Sequence, residues 1–114
     1  MCSPKETKEL QSLFSTQTFI EHLKTFNSIF SAPRFKITVA LRHFDHGLTV
    51  TEIAQIMDAP ISRISHQLAI MRHAGLVRRR RHNREAIYML DMKQLAKAHH
   101  NMHSMFRLQS VAER

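Results

Sequence analysis

Cysteine is almost absent from this 114-residue chain: Cys2 is the only one. A lone cysteine excludes any disulfide within the chain and any zinc motif built from several cysteines, and it fits a reduced, cytoplasmic setting. Glycine (two) and proline (three) are scarce and tryptophan is missing, while 43% of the residues are apolar. That balance favours a helix-rich globule over a disordered, collagenous or sandwich-like chain. Nowhere do about 18 apolar residues run together, as a membrane span requires. The opening Met1-Cys2-Ser3-Pro4-Lys5-Glu6 also lacks the basic-then-apolar order of a signal peptide. The expectation is a single soluble cytoplasmic domain over 1–114.

Acids are missing from one stretch in particular. Between Ala59 and Arg84 there is no Asp or Glu, while Arg63, Arg72, Arg78, Arg79, Arg80, Arg81 and Arg84 all fall there. The whole chain carries 17 Lys and Arg against 9 Asp and Glu, a net charge of +8, so this stretch supplies nearly all of the excess. A cationic surface so localised attracts polyanions.

The apolar spacing supports a mainly α fold with about five helices and two strands. Leu10, Leu13, Phe14, Phe19, Leu23, Phe26 and Phe30 recur at helical intervals, predicting a long amphipathic helix over about 5–30 with a break near 15–18. Pro33 marks the boundary to a second helix over 34–43, which is rich enough in apolar residues to be largely buried, with Gly47 as its C-terminal cap. Thr49-Val50-Thr51-Glu52 matches a capping box. Ile53, Ile56 and Met57 follow on one face, and Pro60 stands as the first residue of the next helix. In that helix, over about 60–74, Ile61, Ile64, Leu68 and Met71 share a face. Ser62, His66, Ala69 and His73 lie opposite, beside Arg63, Ser65 and Arg72. Gly75 closes it. Residues 77–90 then alternate as two strands about the polar turn His82-Asn83-Arg84, which separates Arg78 and Arg80 from Arg79 and Arg81. A last helix spans about 91–109, with Met92, Leu95, His99, Met102 and Phe106 on one stripe.

A capped helix, a tight turn, a second helix with a small polar outer face and a basic hairpin together make a winged helix-turn-helix. The major groove of DNA admits one α-helix whose exposed side chains hydrogen-bond to base edges. Ser62, Arg63, Ser65, His66 and Gln67 meet that need, with Arg72 further along. Arg79, Arg81, His82, Asn83 and Arg84 of the wing are placed to neutralise phosphates or enter the minor groove. An enzyme is not expected: there is no glycine-rich phosphate loop, the acids are scattered and the one cysteine is in a tail. A winged-helix module for protein contact, or an anti-repressor or activator without a small-molecule effector, is the alternative.

The segments Arg34-Phe35-Lys36-Ile37, Leu48-Thr49-Val50-Thr51-Glu52-Ile53-Ala54, Ile64-Ser65-His66-Gln67-Leu68 and Met71-Arg72-His73-Ala74-Gly75-Leu76-Val77 occur in order. Together they resemble the ArsR/SmtB family of small dimeric repressors over about residues 20 to 108. The resemblance implies a homodimer, joined through its terminal helices (here about 5–30 and 91–109), that binds an inverted-repeat operator in double-stranded DNA. It also implies a chemical switch, and there this chain departs from the family. Thr49-Val50-Thr51 stands where many members carry Cys-Val-Cys, which removes the thiolate site for arsenite or soft metals. Asp91-Met92-Lys93 lacks the histidine of the family's other common site, and His100-Asn101-Met102-His103 comes too early to complete it. What remains is His99, His100 and His103, of which His99 and His103 are one helical turn apart and have the imidazole chemistry to bind Zn²⁺ or Ni²⁺.

Overall fold

A computed structural model describes residues 3–107, in the order α1 (Pro4–Ser15), α2 (Gln17–Phe30), α3 (Ala32–His43), β1 (Leu48–Thr49), α4 (Val50–Met57), α5 (Ile61–His73), β2 (Val77–His82), β3 (Glu85–Leu90) and α6 (Met92–Arg107). The architecture is a winged helix-turn-helix with one more helix and one more strand than expected. The extra helix arises at Thr16, whose backbone is extended (φ −68°, ψ 143°). Its hydroxyl donates to the Leu13 carbonyl and accepts from the Phe19 N–H, so one threonine ends α1 and starts α2. Ser31 repeats the device between α2 and α3, its hydroxyl accepting from the Arg34 N–H at 3.3 Å. Pro33 therefore lies in the first turn of α3.

Around the turn of the helix-turn-helix, local signals decide the geometry. The Thr49–Glu52 capping box forms with both of its hydrogen bonds. Helix α4 then closes with Asp58 in the left-handed region and the Ala59 N–H donating to the Ala54 carbonyl. Pro60 is the N-cap of α5 rather than its first residue: its backbone is extended (ψ 144°) and its carbonyl accepts from Arg63 and Ile64. At the other end of α5, Gly75 (φ 79°) donates to the Arg72 carbonyl and Leu76 to that of Met71. This is a Schellman closure, with buried Leu76 and Met71 as its apolar pair.

The strands form an antiparallel sheet in the order β1-β3-β2, with Leu48 opposite Tyr88 and Val77 opposite Leu90. Ile37, Leu41, Ile53, Ile64, Leu68, Met71, Leu76 and Val77 make the core between helices and sheet. Three apolar expectations fail. Helix α3 buries only one side: Ile37, Thr38, Ala40 and Leu41 face inward, while Phe35 and Val39 are 54% and 42% exposed. Ile56 of α4 is exposed as well. Ile61 is 52% exposed rather than part of the α5 core face, because helical side chains lean toward the N-terminus and that of the first residue overshoots the end of its helix. Gly47 is not the cap of α3, which ends at His43 with Phe44 as its cap. It makes the following turn at φ 91°, donating to the Phe44 carbonyl.

The protomer is long, 58 × 24 × 21 Å, with a Cα radius of gyration of 17.6 Å, against about 13 Å for a closed globule of this length. Helix α1 causes much of this, since none of its residues is buried. Leu10, Phe14, Leu23, Phe30, Met92 and Phe106 of α1, α2 and α6 remain exposed. Among the described residues no helix is long and apolar enough to cross a membrane.

Candidate nucleic-acid interface

Helix α5 is anchored by Ile64, Leu68 and Met71, each at most 1% exposed. That anchoring turns Ser62, Arg63, Ser65, His66, Ala69, Arg72 and His73 outward, and all are exposed. No acid lies on this helix, and Pro60 caps it without a side-chain oxygen, so the first-turn N–H groups and Arg63 stand together at one positive end. Gln67 stands apart from the others. It is half-buried, and its Oε1 accepts from Arg34 Nη1 at 2.8 Å, across 33 residues of sequence.

The wing sorts its arginines by register. Arg79 and Arg81 lie opposite Tyr88 and Ala86, on the face that continues from buried Val77. Arg78, Arg80 and His82 lie opposite Met89, Ile87 and Glu85 on the other face. Arg78 is already engaged, its Nε 2.9 Å from Asp91 Oδ2. The other oxygen of Asp91 accepts the Gln94 N–H at 3.1 Å, capping α6. The Gln94 N–H and then Arg78 favour the carboxylate and hold the Asp91 carboxyl below its usual value, outweighing its desolvation. At the tip, Asn83 (φ 51°) and Arg84 (φ 71°) are both left-handed, the signature of a two-residue type I′ turn. The sequence-predicted residues other than Gln67 thus fall on two exposed elements, α5, which carries no acid, and the wing, whose one acid is Glu85 opposite His82. Sequence reasoning missed the Arg34–Gln67 and Arg78–Asp91 pairs, for which no local pattern signals a partner, and the exposure of Ile61.

His99, His100 and His103 are exposed on α6. Among the described residues no group of three or more His, Cys, Asp or Glu side chains is placed to hold a metal ion. The structure therefore does not assemble these histidines into a site within one chain.

The family model for bacterial regulatory proteins of the arsR family matches residues 33–79, which run from the first turn of α3 into β2. Over those residues the chain is similar to the arsR family. Members of that family are DNA-binding transcription regulators rather than enzymes. Solved structures agree on the fold. A possible transcriptional regulator for arsenical resistance is 26% identical, with a TM-score of 0.66 over 80% of this chain and 96% of that one. The transcriptional repressor PagR of Bacillus anthracis is 27% identical, with a TM-score of 0.56 over 65% of this chain and 83% of its own. The homodimeric winged helix-turn-helix DNA-binding domain of Mb0332 from Mycobacterium bovis, a possible ArsR-family transcriptional regulator, is 15% identical. It covers 99% of this chain and 94% of that one with a TM-score of 0.63, and at that identity it supports the fold alone. No curated protein matches the chain. The segment that matches the arsR-family model thus contains α5 complete and stops three residues into the wing strand β2.

Proposed function

We propose that this protein is a cytoplasmic, homodimeric, sequence-specific repressor that blocks transcription by occupying an inverted-repeat operator. The observation that carries this reading is the run from Ala59 to Arg84, free of Asp and Glu, whose arginines stand exposed on α5, β2 and the wing tip. Ser62, Arg63, Ser65 and His66 of α5 enter the major groove and read base edges, with Arg72 on the flanking phosphates. Arg79, Arg81, His82, Asn83 and Arg84 of the wing bind backbone and minor groove. The apolar residues left exposed on α1, α2 and α6 form the surface between the two copies, and a symmetric pair of recognition helices matches the two halves of the operator.

The test is selection of genomic fragments by the purified protein, followed by titration of the recovered duplex and of random DNA. Arg63→Ala or His66→Ala should weaken the selected duplex tenfold or more and relax preference at particular base pairs, about 1–3 kcal/mol each. Arg81→Ala should weaken both duplexes alike and flatten the salt dependence. Equal losses on selected and random DNA from all three changes would overturn these roles, and absence of any shift at low salt would leave only a protein-contact module.

A further inference from the structure

Arg34 joins three helices at a point that none of the proposed DNA contacts uses. Its Nη1 donates to Gln67 Oε1 of α5 at 2.8 Å, and its Nη2 donates to the Asn27 carbonyl of α2 at 2.9 Å. Its own N–H is fixed to Ser31 Oγ at the start of α3. Asn27 is in the last turn of α2, where backbone carbonyls lack helical partners and the helix dipole favours a cation. The third guanidinium nitrogen, Nε, is buried without a hydrogen-bond partner, the only such side-chain atom among the described residues. A buried N–H left unpaired is a cost that natural proteins rarely carry, and here it accompanies a fork that only arginine makes: a lysine ammonium is a point donor without two fixed N–H directions.

We propose that Arg34 is a positioning residue for DNA recognition: it ties the recognition helix α5, through the Gln67 amide, to α2, and so sets the angle at which α5 meets the groove. Helix α2 in turn packs against α6, with His22 Nδ1 and Asn101 Nδ2 3.4 Å apart. The tie therefore links α5 to the terminal helices assigned above to the interface between copies. The bond from Arg34 to Oε1 and the half-buried position of Gln67 fix its amide toward α3, so its donor and acceptor are not together free to pair with the edge of an adenine. Its part is to hold the helix rather than to read a base. This inference rests on the DNA-binding reading above.

The experiment measures the ratio of affinities for the duplex selected by the wild-type protein and for a random duplex of the same length. Arg34→Met, Arg34→Lys, Gln67→Leu, Gln67→Glu and the Arg34→Met/Gln67→Leu double variant are compared, with Tm and dimer mass as controls. Arg34→Met and Gln67→Leu should each lower the ratio about tenfold. The double variant should fall no further than either single one, because both remove the same tie. Arg34→Lys should lie between. Gln67→Glu restores a charge-assisted partner for the guanidinium, so it should weaken both duplexes while keeping the ratio, an outcome that loss of fold would not produce. An unchanged ratio in Arg34→Met, Arg34→Lys and Gln67→Leu, or additive losses in the double variant, would overturn the proposal while leaving DNA binding intact. Failure of the wild-type protein to select any duplex would overturn both readings.

Discussion

Replacing Arg84 by glycine separates the stability of the wing from its charge. Arg84 is the second residue of the type I′ turn and sits at φ 71°, where a residue with a Cβ is disfavoured by roughly 1–2 kcal/mol. Glycine adopts that conformation freely but costs about 0.5–1 kcal/mol more in unfolded-chain entropy. The hydrogen bond from Arg81 Nη1 goes to the Arg84 backbone carbonyl and survives the change. Arg84→Gly should therefore be more stable by about 0.5–1 kcal/mol, a rise in Tm of about 2–6 °C for a domain of this size. DNA binding should move the other way. A dimer carries two wings and loses two phosphate contacts, which makes the slope of log affinity against log salt shallower by about 1.8. Thermal unfolding followed by circular dichroism, and anisotropy titrations at several KCl concentrations, measure the two effects. A lower Tm would refute the strain at Arg84, and an unchanged slope would refute its contact with phosphate.

Four further substitutions probe other parts of the molecule. Asp91→Asn keeps a side chain that can cap α6 but removes the charge paired with Arg78. The folded carboxyl titrates below its unfolded value, so its contribution to stability is complete above the ordinary carboxylate range and is lost as pH falls through the lowered value. The stability gap between wild type and variant should then be constant near neutrality and close below about pH 4. A gap that widens in acid contradicts the pairing. Gly47→Ala would place a Cβ 2.8 Å from the Tyr88 carbonyl oxygen and 2.7 Å from Met89 Cγ at φ 91°, and should cost about 2–4 kcal/mol, read as a lower urea midpoint. An unmoved midpoint shows that β3 gives way. Phe14→Ser and Phe106→Ser should each raise the dimer dissociation constant more than a hundredfold in sedimentation, since about 1.5–3 kcal/mol of apolar burial is lost from each of two copies. An unchanged constant would move the interface elsewhere.

The parts of the fold that were legible in the sequence are those written in neighbouring residues. Thr49 and Glu52 cap each other within one turn, Gly75 supplies the left-handed closure of α5, and alternation along 77–90 pairs the strands as read. Burial was less legible where both sides of a helix are apolar. In α3, Phe35 and Val39 have the same chemistry as Ile37 and Leu41, and spacing does not say which pair faces the protomer's own core. The Arg34–Gln67 contact spans 33 residues and depends on the crossing of α2, α3 and α5, so nothing local announces it. The turn at Asn83-Arg84 was legible as a turn, but its type was not. Such a left-handed turn favours glycine at the second place, yet this chain keeps an arginine there.

The unburied arm Pro4–Ser15 also has a consequence for how the molecule is made. A helix of 12 residues is marginal in water by itself, and α1 touches little besides α2. In the proposed dimer it would be synthesised before the helix-turn-helix and find its packing after it. The helix-turn-helix closes by contacts within one chain, at a rate independent of how many copies exist. In that dimer the arm would gain its packing by meeting a second copy, at a rate that rises with concentration. In a cell with few copies, encounter between newly made chains, and not folding, would set the delay before an operator is occupied.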